Sequence, residues 1–262
     1  MKKGLVFISI VLTTLVPKLS FGWSITGHHI IAEIAYLFLS EPAKQKLQVY
    51  LSGTTIQNAS TWMDEQRRNP AYQYLSEAHF INIEKGKRFS PGGKNNLYTV
   101  LTETMLELEH IPTLSPEKTK YDLELLIHLV SDLHQPLHVG YGEDKGGNAV
   151  NVSLANKKMN LHLVYDLGII ELKDISTENI LPLYTKLSRT QVAVIEKGSV
   201  ADWINESRSY LPFMYGFENN TLNQNYVNKA VPLIENQLLK AGIRLSNLLE
   251  KYLEKVNPKP LK

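Results

Sequence analysis

The chain contains no cysteine. Disulfide bonds and thiolate metal ligands are therefore excluded. If a protein without cysteine is exported, something other than disulfides must cross-link it, and bound metal is one option. After its first 22 residues the sequence also lacks any apolar run long enough to span a bilayer. The remaining composition, 43% hydrophobic and 21% charged, is typical of a globular protein and argues against disorder.

After residue 22 the chain also has no large excess of positive or negative charge. A positive start, the apolar run 5–16 and the small residues Ser20 and Gly22 predict a signal peptide over residues 1–22, cleaved before Trp23. Cleavage leaves 25 basic and 26 acidic side chains, a formal charge of −1. A near-neutral chain has no bulk attraction for polyanions, so phosphate binding requires local positive charge. Because residues 1–22 are predicted to be a signal peptide, we expect a secreted or periplasmic protein.

Helical periodicity dominates the rest of the chain. Apolar residues recur at three-to-four spacing over 28–39, 41–51, 97–109, 121–133, 177–197 and 224–255. Only 149–154 alternates apolar and polar residues, and the turn-forming residues 156–158 follow it, which predicts one small β-hairpin. No repeat or interdomain linker is evident. The pattern predicts a mainly α fold, with a single domain over 23–262.

Histidines and aspartates recur at ligand spacing. His128 and Asp132 are four residues apart in a helical pattern, which stacks both side chains on one face, as required to hold a cation. Pro136 should end or kink that helix, because it lacks an N–H group and crowds the preceding turn. We expect this to redirect His138 toward a neighbouring position.

A second pair, His162 and Asp166, repeats the same spacing. Imidazole and carboxylate ligands together suit zinc. One such pair occurs by chance in many helices, and buried histidines with ordinary ion pairs are the alternative interpretation. Two pairs, together with His138, His79 and Asp64, indicate a metal centre.

Six motifs in order carry a resemblance to a known family. They are Trp23-x-x-x-Gly27-His28, Ser60-Thr61-Trp62-Met63-Asp64-x-x-Arg67, His79-Phe80-Ile81-Asn82, His128-x-x-x-Asp132-x-His134-Gln135-Pro136-Leu137-His138, Gly146-Gly147-Asn148 and Asn160-Leu161-His162-x-x-x-Asp166. Together they resemble the zinc-dependent, single-strand-specific nucleases, which include mung bean nuclease and the fungal nucleases S1 and P1. The resemblance spans essentially the whole mature chain and implies a multi-helix domain of the phospholipase C/P1 nuclease type.

The resemblance implies three zinc ions. The first would be held by Asp64, His79, His128 and Asp132, and the second by His138, His162 and Asp166. The third would be held by Trp23, through its free amino group and carbonyl, by His28 and by the bridging Asp132. Because the Trp23 nitrogen is a peptide amide before cleavage, we expect export to be part of activation.

The implied reaction is metal-assisted hydrolysis that leaves a 5′-phosphate, with Asp64 and Asp132 in the catalytic centre. Arg67 resembles the family's arginine that neutralises charge on the phosphoryl group, and a surface helix arginine is the alternative. Phe80 resembles the aromatic that stacks on an unpaired base, and a core phenylalanine is the alternative.

Asn82 stands where fungal relatives usually have aspartate, so base preference is open. Asn148 is expected to contact substrate. His134 is expected to orient a carboxylate or backbone group without binding metal. Met159 and Tyr165 replace the family's threonine and tryptophan and should change packing only.

Two other functions remain open. A zinc-dependent phospholipase C shares the fold and much of the metal site, although such lipases usually have glutamate at the position of Asp166. A non-catalytic zinc-binding or adhesion protein is the second. The nuclease interpretation predicts single-stranded DNA, RNA or nucleotides as substrates, 3′-nucleotidase activity, no stable membrane association and a monomer.

Overall fold

The computed structural model describes residues 23–256, so the predicted signal peptide and the last six residues lie outside the described part. Within it the helices are α1 (Ile25–Phe38), α2 (Glu41–Tyr50), α3 (Ile56–Glu65), α4 (Leu97–Leu108), α5 (Pro116–Leu133), α6 (Leu161–Leu163), α7 (Ile169–Leu172), α8 (Thr177–Tyr184), α9 (Arg189–Glu196), α10 (Val200–Arg208), α11 (Leu211–Met214) and α12 (Gln224–Glu254). The predicted mainly α fold is confirmed. No helix in residues 23–256 is both long and apolar enough to cross a membrane.

The small sheet has three strands in the order β2-β1-β3. Strands β1 (Asn151–Leu154) and β2 (Lys157–Asn160) pair antiparallel as the predicted hairpin. Ala155 and Asn156 both have positive φ, the requirement of a type I′ turn. The third strand, β3 (Thr221–Leu222), pairs parallel to β1 and was not predicted, because two residues are too few to show a period.

Capping residues explain where the helices differ from their predicted bounds. Helix α5 begins five residues early, because Ser115 accepts a hydrogen bond from Lys118 N and Pro116 fits the first turn. The single helix predicted over 177–197 is wrong. It is divided into α8 and α9, and Ser188 exchanges reciprocal capping bonds with Gln191 at the start of α9. Helices α3 and α10 were not predicted.

The core forms where α12 and α3 pack against α1, and where α3 and α4 pack against α5. Ile34 and Leu238 are fully buried, and burying such a side chain contributes about 1.5–3 kcal/mol. Helices α1 and α12 meet closely at Gly242, where a Cβ atom would lie 2.4 Å from Ile34 Cγ2. This packing fixes α1, α3 and α5 beside one another, and each carries predicted ligands.

Candidate metal centre

Helices α1 and α5 bring together the first part of the centre. His28 on α1 and His128 on α5 stack with ring centroids 4.3 Å apart. Asp132 lies one turn after His128, and its two oxygens face different partners. Oδ1 is 3.3 Å from His28 Nε2, and Oδ2 is 3.0 Å from His128 Nε2. The predicted placement of His128 and Asp132 on one helix face is therefore confirmed.

The segment after α5 redirects the chain as predicted. Helix α5 ends at Leu133, and a 3₁₀ turn (Pro136–Val139) follows. His138 Nδ1 comes to 3.8 Å from Asp132 Oδ1. The side chain of Gln135 accepts from Leu137 N and donates to Asp166 Oδ1. Gln135 lies within a recognised motif, but nothing in the spacing indicated this bridge to Asp166.

His162 and Asp166 lie close together, but not on a regular α-helix. The α6 turn continues into a π-helical turn (Val164–Gly168), which carries Asp166. The distance from His162 Nε2 to Asp166 Oδ2 is 3.4 Å. The carbonyl of Asp166 accepts a 2.9 Å hydrogen bond from Ser24 N, so the segment that follows Trp23 lies against this turn. Such π-turns are frequent at functional sites.

Three groups of ligand atoms result, and within each group they lie no more than 4.8 Å apart. The groups are His28, Asp64 and His128; His79, His128 and Asp132; and His138, His162 and Asp166. The third group matches one predicted zinc site residue for residue. Asp64 Oδ1 lies 3.7 Å from His79 Nδ1, beside the second group. Trp23 is fully buried and packs on Gly27, where an added Cβ atom would lie 2.8 Å from Trp23 Cβ and 3.2 Å from its ring.

Backbone carbonyls fix the orientation of three imidazoles. The Nδ1 atoms of His128, His138 and His162 donate to Ser60 O, His79 O and Gly146 O at 2.7, 2.6 and 2.6 Å. A carbonyl can only accept, so each Nδ1 carries the proton and each Nε2 keeps a lone pair for a cation. These carbonyls leave no signal in the sequence, because any residue has one.

Of the three residues that supply these carbonyls, Gly146 is the one whose backbone conformation requires glycine. Its φ of +61° is left-handed, and a Cβ atom there would lie 2.3 Å from Leu137 O. Only glycine avoids that clash, and the glycine allows this loop to approach the ligand-bearing turn and reach His162.

Several buried polar atoms of this centre make no hydrogen bond within residues 23–256. They are His28 Nδ1 and Nε2, His79 Nε2, His138 Nε2, Asp132 Oδ1 and Asp166 Oδ2. Buried polar groups are nearly always bonded, and unpaired buried carboxylates are costly. Donor atoms of this chemistry, left unpaired together, fit divalent cations held by nitrogen and oxygen.

Electrostatics favour the protonation states that metal binding requires at His79, His162 and Asp132 but oppose them at Asp166. They also oppose them at His128, because burial would lower its pKa but the carboxylates of Asp132 and Asp64 outweigh burial and raise it. Burial lowers the pKa of His79 to about 4 and that of His162 to about 3, so both rings are neutral at pH 7. Burial alone would raise the pKa of Asp132, but the nearby His128 and His138 outweigh it and hold this pKa well below its usual range. Burial raises the pKa of Asp166 well above its usual range. A bound dication would reverse that last shift.

Other predicted site residues lie at the edge of the centre. Arg67 Nε is 2.9 Å from Asp64 Oδ1, within a 3₁₀ turn that extends α3. Phe80 is 38% exposed, which excludes the core alternative for it. Asn82 is exposed beside Gly146, and the Asn148 amide donates to Lys145 O at 2.9 Å.

His134 belongs to a different network. Its Nδ1 donates to Val130 O at 2.7 Å, and its Nε2 accepts from Arg244 Nη1 at 2.8 Å. Arg244 in turn pairs with Glu206. Both ring nitrogens of His134 are therefore occupied, and neither bonds a carboxylate of the centre. Its orienting role stays a prediction.

A cavity of about 440 Å³ opens beside the ligands. Asp64 and Asp166 line it together with Ile25, Leu163 and Leu167. The partly exposed Asp64 and the buried Asp166 thus both border a cavity that opens to solvent, as a centre that acts on a substrate requires.

A helical fold that gathers three His/Asp groups beside an open cavity defines a protein with a candidate metal centre, in which each group could hold a cation. The chain belongs to the S1/P1 nuclease family, whose model matches residues 23–254. It is accordingly a hydrolase that acts on phosphodiester bonds.

Named relatives agree with that placement. The chain is 25% identical to Endonuclease 2 of Arabidopsis thaliana, over 88% of this chain and 90% of the relative. It is 25% identical to Nuclease S1 of Aspergillus oryzae, over 91% and 94%. It is 26% identical to Nuclease P1 of Penicillium citrinum, over 55% and 57%.

Proposed function

We propose that this protein is an exported, zinc-dependent nuclease that hydrolyses single-stranded DNA and RNA to products with 5′-phosphates and also acts as a 3′-nucleotidase. The observation that carries the proposal is the set of buried histidine and aspartate atoms that cluster without hydrogen bonds beside an open cavity. Membership of the nuclease family supports it, and so do the relatives named as nucleases.

Three zinc ions fit the ligands available. His79, His128, Asp132 and Asp64 would hold one, and His138, His162 and Asp166 a second. His28, Asp132 and the amino group and carbonyl of a processed Trp23 would hold the third. The position of Asp132 between His28 and His128 supports its bridging role. Nitrogen and oxygen ligands without sulfur are compatible with zinc.

Bound zinc would supply a nucleophilic hydroxide at neutral pH and stabilise the charge of the leaving oxygen. The protein supplies the orientation. Arg67 is held by Asp64 at 2.9 Å, which fixes its guanidinium where it can donate to the oxygens of a phosphoryl group. Backbone carbonyls hold the rings of His128 and His138, so little reorganisation is required when substrate binds.

Phe80 explains the preference for single strands in this proposal. Its ring follows His79 directly and is exposed, so an unpaired base can stack on it next to the scissile phosphate. A base in a duplex is already stacked and paired, and offers no free face. Asn82 lies on the same segment and presents both donor and acceptor groups to a base edge.

The test uses the mature protein, from Trp23 onward, incubated with single-stranded DNA, single-stranded RNA and duplex DNA. We expect cleavage of both single strands, slower cleavage of the duplex, and 5′-phosphate ends by end-group analysis. Elemental analysis should give three zinc ions per chain. A His138→Ala variant should lose zinc and activity, whereas His110→Ala, at an exposed histidine, should retain both.

The alternatives give different results in the same assay. Hydrolysis of phosphatidylcholine without cleavage of nucleic acid would indicate a phospholipase C and overturn the proposal. A fully zinc-loaded protein inert on every phosphate ester would indicate a binding protein. Products with 3′-phosphates would contradict the proposed leaving group.

Export is tested separately. N-terminal sequencing of the protein from the medium or periplasm should begin at Trp23. A mature form with one added N-terminal residue should bind less zinc and lose activity, because its Trp23 nitrogen is again an amide. Unchanged zinc content and activity in that form would refute the role proposed for Trp23.

A further inference from the structure

The loop after the base-stacking segment concentrates positive charge. Residues 84–94, here called the basic loop, contain Lys85, Lys87, Arg88 and Lys94 against the single acid Glu84, a net charge of +3. The mature chain as a whole carries −1. Residues 84–88 are all exposed. The local positive charge that a near-neutral phosphodiesterase requires is therefore present outside the metal centre as well.

The basic loop begins at the metal centre. Ile81 N donates to His138 O at 2.8 Å, and Ile83 N donates to Gly140 O at 3.0 Å, so residues 81–83 run along the turn that carries His138. Gly142 N donates back to Ile83 O at 3.2 Å. Four residues of extended chain cover at most about 13 Å, so the loop starts within that distance of Phe80.

The backbone of the loop is anchored. Lys85 N donates to Glu143 Oε1 at 3.0 Å, and the Arg208 guanidinium donates to Lys87 O at 3.3 Å and to Gly140 O at 3.1 Å. Lys85 Nζ lies 5.6 Å from the centre of the Tyr141 ring. Arg208 thus fastens the loop to the segment that follows His138.

The cationic side chains of the anchored loop have no ion-pair partner in the described residues, although the carboxylate of Glu143 accepts from Lys85 N and offsets part of the loop's charge. Within residues 23–256, Lys85, Lys87 and Arg88 form no ion pair with a carboxylate, whereas Lys118, Lys240 and Lys251 each do. The loop exposes no large apolar side chain, because Phe89 is buried. Unpaired cations on a fixed backbone, without apolar anchors, suit a polyanion better than a membrane or an apolar partner.

We propose that the basic loop binds backbone phosphates of the same single strand whose base stacks on Phe80, and so extends the site by several nucleotides beyond the scissile phosphate. This inference rests on the proposed nuclease function. A strand that follows residues 80–88 would place its next phosphates against Lys85, Lys87 and Arg88, whereas a dinucleotide is too short to reach them.

The test compares two substrates and two matched variants. The loop variant combines Lys85→Gln, Lys87→Gln and Arg88→Gln. The control variant combines Lys186→Gln, Arg189→Gln and Lys197→Gln, which removes the same charge from exposed positions beside α8 and α9. For each protein, kcat/KM is measured between 50 and 200 mM salt on a long single strand and on a dinucleotide with one phosphodiester bond.

Each phosphate contact to a single strand contributes about −0.7 to the slope of log affinity against log salt, so two to three contacts give about tenfold over this range. We expect wild type and the control variant to lose about tenfold more kcat/KM on the long strand than the loop variant does. On the dinucleotide the three proteins should show the same salt dependence. A charge-conserving variant (Lys85→Arg, Lys87→Arg, Arg88→Lys) should restore the wild-type slope.

Two results would overturn the inference. Equal salt slopes for the loop and control variants on the long strand would show that the loop is solvated surface. A slope that stays low in the charge-conserving variant would assign the effect to altered loop structure. Both leave the nuclease function standing, whereas a wild-type protein inactive on both substrates overturns the proposed function and the inference with it.

Discussion

Two groups of buried polar side chains lie near the end of α5: the candidate metal centre and the network around His134. They differ in whether the ring and carboxylate atoms all have hydrogen-bond partners. In the metal centre, Asp132 and His138 each retain a buried atom with no hydrogen bond in the described chain. In the network around His134, both ring nitrogens are bonded, and Arg244 pairs with Glu206. The same residue types are arranged in one group so that they could hold cations and in the other so that they join helices.

The closed network around His134 links four helices, because Ile195 lies on α9. Arg244 on α12 contacts His134 at the end of α5 and Glu206 on α10, and it also donates to Ile195 O at 2.9 Å. Gln237 lies beside this network and donates to His134 O at 2.9 Å, while its own Oε1 makes no hydrogen bond within the described residues. Burial and the charge of Arg244 lower the pKa of His134 to about 3, so the ring is a neutral acceptor. This difference predicts opposite consequences of mutation in the two groups.

The largest effect is expected in the open centre. Asp132→Ala removes the carboxylate that faces both His28 and His128. Loss of a residue that merely orients a ligand costs 10–100-fold, so loss of this ligand should cost more than about 100-fold in activity. Elemental analysis should show fewer zinc ions per chain. Full zinc content together with wild-type activity would exclude the bridging role.

Mutation of the closed network should lower the free energy of unfolding and leave zinc binding unchanged. Arg244→Met removes the donor to His134 and one of the two cationic partners of Glu206, which keeps Lys240. Because Glu206 is partly exposed, we expect a loss of about 1.5–3 kcal/mol, the range for hydrogen bonds to charged groups. Urea unfolding of the zinc-loaded protein measures the loss, and zinc bound per folded molecule should not change. Lys240→Met is the matched control, because it leaves the Arg244–Glu206 pair intact. A stability loss no larger than that of the control would contradict the comparison.

A third variant lies at the boundary between the two groups. His134→Gln should cost about 1–3 kcal/mol, since it leaves Arg244 and Val130 O with poorer partners. We expect three zinc ions to remain bound. Loss of zinc from this variant would mean that His134 orients the centre after all, and that the two groups act as one.

The smallest effect concerns Glu124, one turn before His128 on α5. Burial raises the pKa of Glu124 to about 7, and Lys120 Nζ lies 3.8 Å from Oε1. The pKa of Glu124 is higher in the folded than in the unfolded protein, so below about pH 4 its carboxyl group is neutral in both states and does not lower the free energy of unfolding. As the pH rises through 7, the buried group must ionise and the folded protein loses stability. Glu124→Gln should therefore match wild type at pH 5 and exceed it by about 1–3 kcal/mol at pH 8.

Urea midpoints at the two pH values measure this difference, with Glu103→Gln as an exposed control on α4. A Glu124→Gln advantage that is the same at pH 5 and pH 8 would rule out the titration of Glu124 as its cause.

The accuracy of the sequence predictions depended on how locally each feature is determined. The i,i+4 pair of His128 and Asp132 and the helix end before Pro136 follow from the geometry of one segment, and both were predicted. The division of 177–197 into two helices was missed, because the periodicity continued across a break set by the Ser188 cap. The π-turn that carries Asp166 was missed for a similar reason, since its sequence also reads as helix.

The sequence by itself determined the mainly α fold and the family, together with the candidate ligands, because ligand type and helical spacing are properties of short segments. Only the tertiary structure decided which histidines face a shared centre and which close a network. His134 and His138 are four residues apart in one motif, yet one meets Arg244 from α12 and the other meets His79 O. Those partners come from distant parts of the chain, and packing alone brings them together.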